Sequence, residues 1–469
     1  MAATNEGGLI TPNTLKGFRD YPPELAIPRE RLMEKARAVY RSFGFAPIDT
    51  PALEYLEVLT ANVEPGAEIG KQLYSFTDQG GREVGLRFDL TVPFARFAAQ
   101  HIHKLGTPFK RYHLGCVWRG ESPQAGRYRE FMQCDFDTIG TTSNAADIET
   151  ALVIDALLRA LGFTRFAIHI NHRQLLNGVL AEMGLAERAK LVLRTLDKLS
   201  KLDTAGVIAE LTSTDPRHAG LSREQAEQVV GLASLSGSNE DILNTISARH
   251  GANELVARGV SQLRELLAVT AEAGVPEGTI RIDPSICRGL DYYTGTVYET
   301  FLLDKREIGS VCSGGRYDNL AGRYTKQSLP GVGASLGLDR LLAAMEALGL
   351  LPKTATPAPV LIVQFDAAYL GQYQRLASQL RAGGIGVEVY PEARKLGVQL
   401  KYADARGFTL ALIAGPDDFA RGLVNIKILA QQTQHAVALA DLLPSVQAAL
   451  QSNRPDQPQE RSHETPKPL

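Results

Sequence analysis

The sequence predicts an α+β catalytic domain on an antiparallel sheet, interrupted by a helical insertion and followed by a C-terminal α/β domain. Three observations predict it. Residues 110–138 read as two strand-like runs around a loop rich in Gly, Pro, Ser and Gln, the pattern of an antiparallel hairpin with a long tip. From 174 to about 270 the pattern turns helical and charged, as in LAERAKLVLRTLDKLSKL at 185–202. After a Pro- and Thr-rich stretch, LPKTATPAP, the runs VLIVQF (360–365), IGVEVY (385–390) and TLALIAG (409–415) alternate with helical ones.

Each element follows from local pattern. A helix is expected over 29–43, with Leu32, Met33, Ala36, Val39, Tyr40 and Phe43 on one side and Gly44 ending it. Strands and hairpins dominate from there to about residue 173. The catalytic domain is therefore expected to be discontinuous, 1–173 and 271–350, with 174–270 inserted as helices. Residues 351–359 form a linker, 360–450 the α/β domain, and 451–469 a polar, Pro-rich tail expected to be disordered.

Composition sets the frame. A chain of 469 residues suffices for two or three domains with their own cores. Lys+Arg 50 against Asp+Glu 52 leaves a net charge of −2, so a nucleic-acid partner would need a local basic patch. Cys116, Cys134, Cys287 and Cys312 form no CxxC pair and read as small buried hydrophobes in a reducing compartment. MAATNEGGLITPN lacks a basic, then apolar leader, and no apolar run approaches ~18 residues. A cytoplasmic protein with no membrane association is expected.

Chemistry concentrates in three stretches. At 288–301, RGLDYYTGTVYETF sets Arg288 four residues before Tyr292 and Tyr293 and then alternates as a strand does. Arginine's planar fork of donors suits a phosphate or carboxylate, and tyrosine's ring with a polar tip suits a small planar ligand. Alone, the segment reads equally as a buried strand with a structural Arg288–Asp291 pair. On the returning run of the hairpin, Gln133, Asp135 and Asp137 share one face, and Met132, Cys134 and Phe136 the other. Arg119 ends the outgoing run within reach of that polar face. The glycines of 310–342 allow backbone to approach a ligand, and a helix is expected to begin near Leu336, with Arg340 in its early turns. Leu338, Leu341, Leu342 and Met345 mark its buried side.

These stretches resemble the signature motifs of class II aminoacyl-tRNA synthetases, and most closely those of the histidyl-tRNA synthetase family. KGFRDYPPE (16–24) with GFAPIDTP (44–51) looks like the opening and the dimer-interface motif, the hairpin with GRYREF the second motif, and GVGASLGLDRL (331–341) the third. LRFDLTVPFARF (86–97) and RGLDYYTG (288–295) are similar to the family's histidine-binding elements. The resemblance, over about 9–450, implies a class II catalytic core, an anticodon-binding C-terminal domain and a homodimer. It implies ATP-dependent activation of L-histidine as an adenylate and transfer to tRNA(His).

Residue roles follow from the same resemblance. Arg119, Arg288 and Arg340 would be catalytic. Arg119 would hold the α-phosphate and the histidine carboxylate, Arg340 the γ-phosphate, and Glu121 the adenine amino group. Arg288 would contact the α-phosphate where related class II enzymes use a metal. Asp89, Thr91, Gln133 and Asp137 would bind the α-amino group, and Tyr292 and Tyr293 would line the imidazole pocket. One Mg²⁺ is expected on the outer phosphates of ATP, with no dedicated protein metal site. Some relatives carry Glu at the positions of Asp89 and Asp137, so the charge here sits on a shorter arm.

Gly333-Ala-Ser335-Leu-Gly337 matches GxSxG, with His435 downstream, but Pro-Gly-Val-Gly stands where a nucleophile elbow requires an apolar strand. GxGxxxG at 331–337 fails as a dinucleotide fingerprint for the same lack of a preceding strand. His101 and His103 would point to opposite faces of a strand and hold no metal. Lys395, Lys401 and Arg406 read equally as a tRNA-facing patch or a solvated helix face. A non-catalytic, histidine-sensing relative would be expected to lack the arginines and the C-terminal domain, both of which this chain keeps.

Overall fold

The computed structural model describes residues 10–61, 68–123, 126–200, 202–215, 217–287, 292–351 and 355–453. Arg288 and Asp291 lie outside the described residues. The chain divides into two compact units, one of residues 1–20 and 29–350, the other of 21–28 and 351–469.

The first unit is built on an eight-stranded sheet. Its spatial order is Ala46–Pro47, Phe109–Trp118, Glu130–Ile139, Gly331–Gly337, Cys312–Tyr317, Thr296–Leu302, Phe166–His172 and Ile280–Ile282. The six inner strands pair antiparallel, but the two short edge strands pair parallel to their neighbours. The sheet is therefore mixed and not purely antiparallel. The chain between each edge strand and its neighbour runs through helices, long enough a connection for the parallel sense.

The first helix, Pro23–Ser42, starts six residues earlier than the periodicity suggests and carries Pro28 inside it. Leu32, Ala36 and Tyr40, four residues apart, are its buried stripe. Tyr40 packs on Tyr112 and Phe136 and donates its hydroxyl to the Cys134 carbonyl at 2.9 Å. The helix thereby covers the apolar face of the hairpin and leaves the other face open.

Two long helices stand where strands were expected before residue 173. One is Thr91–Leu105, the other Asn144–Ala160. The former starts at Thr-Val-Pro, and Pro93 occupies the first turn, where its missing N–H costs nothing. Asp89 Oδ1 accepts from the Val92 N–H at 3.0 Å. His101 and His103 belong to this helix, so the strand assumed for them is wrong. Between the strands Phe166–His172 and Ile280–Ile282 the described residues form six α-helices, from Arg173–Glu182 to Glu254–Glu272.

Gly331–Gly337 is itself a central strand, which corrects the reason given for dismissing both glycine motifs. Glycine is required there by proximity: a Cβ on Gly333 would lie 2.2 Å from the Phe136 carbonyl oxygen and 2.4 Å from Asp137 Oδ1. Ser335 lies inside this strand, away from its corner with the helix Leu338–Ala347, so no nucleophile elbow forms. The strand's two neighbours are antiparallel, unlike those of a dinucleotide-binding βαβ unit.

The second unit has a five-stranded sheet ordered Val387–Val389, Val360–Ile362, Leu410–Ile413, Leu423–Ile428 and Thr433–Ala438. The first three strands are parallel, and the last two add an antiparallel hairpin that the alternating pattern did not anticipate. Val360, Ile362, Leu376, Leu380, Leu410, Leu412, Val424 and Val446 build its core. Buried Gln399 fixes the strand exit, accepting from the Gln364 N–H at 2.9 Å and donating to its carbonyl at 2.7 Å.

Candidate active site

The open face of the hairpin and the glycine strand form the floor of a cleft of about 320 Å³. Strand register assembles the floor: Asp137 faces Arg111 and Gly333, Asp135 faces His113 and Ser335, and Gln133 faces Gly115 and Gly337. Asp89, Thr91, Arg119, Glu121, Gln133, Asp137, Tyr292, Tyr293 and Arg340, all singled out in the sequence, line this one cleft. Asp135 lines it too.

One end is carboxylate and tyrosine. Tyr292 donates to Asp89 Oδ2 at 3.4 Å, and Tyr317 to Asp137 Oδ1 at 2.7 Å. Tyr292 meets both Tyr293 and Tyr317 edge-on, with centroids 5.1 and 6.0 Å apart. Fully buried Arg111 places Nη2 2.6 Å from Asp137 Oδ2 and stacks over Phe94. Burial raises the Asp89 carboxyl to about 6, against the Val92 N–H, Arg119 and Tyr292, which favour its charge. Burial likewise raises Asp137, with Arg111 pulling the other way.

The other end is cationic. Arg119, Glu121, Arg127 and Arg340, with Phe131, surround an adjoining recess of about 130 Å³. Arg119 Nε donates to the Phe88 carbonyl at 2.9 Å, and its guanidinium lies 5.2 Å from the Phe131 ring centroid. Arg340 is held by a bond to the Ser310 carbonyl. The preceding residue, Asp339, accepts from the Met132 N–H at 2.7 Å and sits near Arg19 and Arg29, which fixes the start of the helix. Gln133 Nε2 donates to Ser335 Oγ at 2.9 Å, leaving its Oε1 buried and without a hydrogen-bond partner.

Sequence reasoning missed Arg111, Arg127, Glu299 and Tyr317. The signal for Arg111 and Tyr317 is register, since Arg111 lies opposite Asp137 once the hairpin is paired and Tyr317 lies one strand beyond. Arg127 stands within the quoted GRYREF run, and Glu299 on the strand that follows the tyrosines.

Residues 17–341 match the family model described as histidyl-tRNA synthetase, and 359–449 the one described as anticodon binding domain. The chain belongs to the histidyl-tRNA synthetase family. Its activity is that of the family, ATP-dependent charging of tRNA(His) with histidine through an adenylate intermediate. A histidine–tRNA ligase of Rhodopirellula baltica is 56% identical over 446 residues, 94% of this chain and 100% of the relative. One from Wolinella succinogenes is 46% identical over 90% of this chain and 95% of its own. Among solved structures, histidyl-tRNA synthetase from Nostoc sp. PCC 7120 superposes with a TM-score of 0.83 at 34% identity, covering 94% of this chain and 100% of that one. Among the described residues no helix is long and apolar enough to cross a membrane.

Proposed function

We propose that this cleft performs the chemistry, with histidine at the carboxylate and tyrosine end and ATP at the arginine end. The carrying observation is that one continuous floor strand bears Gln133, Asp135 and Asp137 between the two ends. A histidine carboxylate oxygen attacks the α-phosphorus, the bond to the bridging oxygen breaks, and pyrophosphate leaves with its electron pair. A tRNA ribose hydroxyl then attacks the acyl carbon, giving up its proton, and AMP departs. The first step joins two anions and needs no general base, because the carboxylate is already ionised. Fixed cations therefore do most of the work, by positioning and by charge stabilisation.

In this reading Arg119 bridges the α-phosphate and the histidine carboxylate, Arg340 holds the γ-phosphate, and Glu121 takes the adenine amino group. Asp89, Thr91, Gln133 and Asp137 receive the α-ammonium, while Tyr292 and Tyr293 close on the imidazole. Arg288, one residue after buried Cys287, acts on the α-phosphate. No cluster of three or more metal-binding side chains occurs among the described residues. Mg²⁺ carried on phosphate oxygens needs only one or two carboxylates, and Glu299 is one of the buried carboxylates that line the cleft. When bound, the ion would neutralise charge on the outer phosphates.

The 360–450 unit is proposed to bind the anticodon, adding affinity without chemistry. A homodimer is proposed through the segment 29–51, and a monomer with full activity in light scattering would refute it. Cytoplasmic residence accords with the four free cysteines, Cys116, Cys134, Cys287 and Cys312.

The test of the site is exchange of labelled pyrophosphate into ATP. Histidine alone among the amino acids should support it, and Arg288→Ala should slow it by ~10²–10³. A rate within about threefold of the parent would remove Arg288 from the mechanism.

A further inference from the structure

Asp135 is a buried carboxylate that shares its cation, since Arg111 Nη2 stands 3.9 Å from it and 2.6 Å from Asp137. It is 2% exposed, lines the cleft, and its Oδ1 has no hydrogen-bond partner. Asp89 and Asp137 line the same end, so three carboxylates share it. The groups facing Asp135 come from every neighbouring element. Asp137 and Gln133 share its strand, Arg111 and His113 stand on the outgoing strand, and Ser335 lies opposite on the glycine strand. Asp89, Tyr292 and Tyr293 line the cleft above.

The cations near Asp135 are all shared, for Arg87 also serves Asp49 and Glu54, and Arg119 serves Asp89. Arg111 Nη2 is 2.6 Å from Asp137 but 3.9 Å from Asp135, so the former claims it. His113 Nε2 stands 2.9 Å from exposed Asp49, and burial beside Arg111 and Arg87 pushes its pKa down to about 3, so the ring is neutral at physiological pH. Burial raises the Asp135 carboxyl to about 7, Arg111 opposes it, and Asp137 and Asp89 add to it. A buried carboxylate in that position is stabilised by a cation that arrives with the ligand.

Resting on the histidine site proposed above, we infer that Asp135 is a further specificity-determining residue, accepting a hydrogen bond from a protonated nitrogen of the bound amino acid. The α-ammonium and the imidazole N–H offer the same chemistry. Both are charge-assisted donors to a desolvated carboxylate.

Titration calorimetry on the full-length protein tests this, with parent, Asp135→Asn and Asp89→Asn. Asparagine keeps the shape and the Ser335 contact, and Arg111 retains Asp137. Asp135→Asn should bind L-histidine ~10–100-fold more weakly, with ATP affinity within about threefold. Parent protein at pH 7 should release protons as histidine binds, read from heats in two buffers of different ionisation enthalpy, and the variant should release fewer. Affinity of the parent should rise with pH through about 7, because only the ionised carboxylate attracts the donor.

Two analogues locate the nitrogen. 3-(Imidazol-4-yl)propionate has no ammonium, and 3-(pyrazol-1-yl)alanine has no ring N–H. If the ammonium is the donor, Asp135→Asn weakens the pyrazole and spares the propionate; if the ring is, the reverse holds, and either pattern supports the inference. Unchanged histidine binding in Asp135→Asn, with Asp89→Asn impaired, overturns it alone. Unchanged binding in both variants would show instead that histidine does not occupy this end of the cleft.

Discussion

Tyr292 holds Asp89 through a single long bond of 3.4 Å, so the carboxylate has room to tighten on a ligand. Tyr292→Phe removes that donor and should weaken histidine binding more than ATP binding, because a site built for polar contacts is left with a buried group unpaired. Equal losses for the two ligands in equilibrium titration would contradict this role. Asp135 should also leave a mark on stability. Its native pKa, about 7, lies above the ordinary 3.8, so the folded state binds this proton more tightly than the unfolded chain does. The stability it contributes is complete below the unfolded value and is lost as pH rises through about 7. Asp135→Asn, a permanent mimic of the neutral form, should therefore melt higher than the parent at pH 8, with the gap closing at pH 5. A gap that is constant or widens toward acid would show that Asp135 is ionised throughout. The same residue would then weaken the fold and sharpen recognition, the trade expected of functional sites.

At the scale of elements, the glycine strand is the least tolerant part of the floor. Gly333→Ala would force a methyl against the Phe136 carbonyl and the Asp137 carboxylate, costing ~1–3 kcal/mol and displacing Asp137 from Arg111. Gly371→Ala, in open space on the helix Leu370–Ala382, should be neutral or slightly stabilising. Melting curves that rank the two equally would show that the floor can relax. This contrast marks what was legible in the sequence. The hairpin announced itself because Gln133, Asp135 and Asp137 alternate with apolar neighbours over a long run. Gly331–Gly337 did not, since its strand identity rests on neighbours that supply the bulk glycine lacks. The helix Thr91–Leu105 was hidden by Val, Pro and Phe at its start, residues whose local preference is overruled by burial of Phe94, Ala98 and Ile102. Arg111 stayed unseen because its meaning lies across the sheet, in the partner residue that register supplies.

For the whole molecule, the proposed division of labour predicts the effect of cutting the chain after about residue 352. The fragment should retain histidine-dependent pyrophosphate exchange and lose most transfer to tRNA, with circular dichroism and light scattering confirming fold and assembly. A folded, dimeric fragment that charges tRNA as well as the full chain would show that the C-terminal unit has another task. Strand order within the first unit also sets a time scale. The floor of the cleft joins Glu130–Ile139 to Gly331–Gly337, strands separated by roughly 190 residues of chain, which a ribosome adds in ~10–40 s. Until the later strand emerges, the carboxylates of the hairpin have no floor partner beside them and no arginine from the helix that follows. On the proposed site, the growing polypeptide would hold the very amino acid it later supplies to its own synthesis only once that strand has paired.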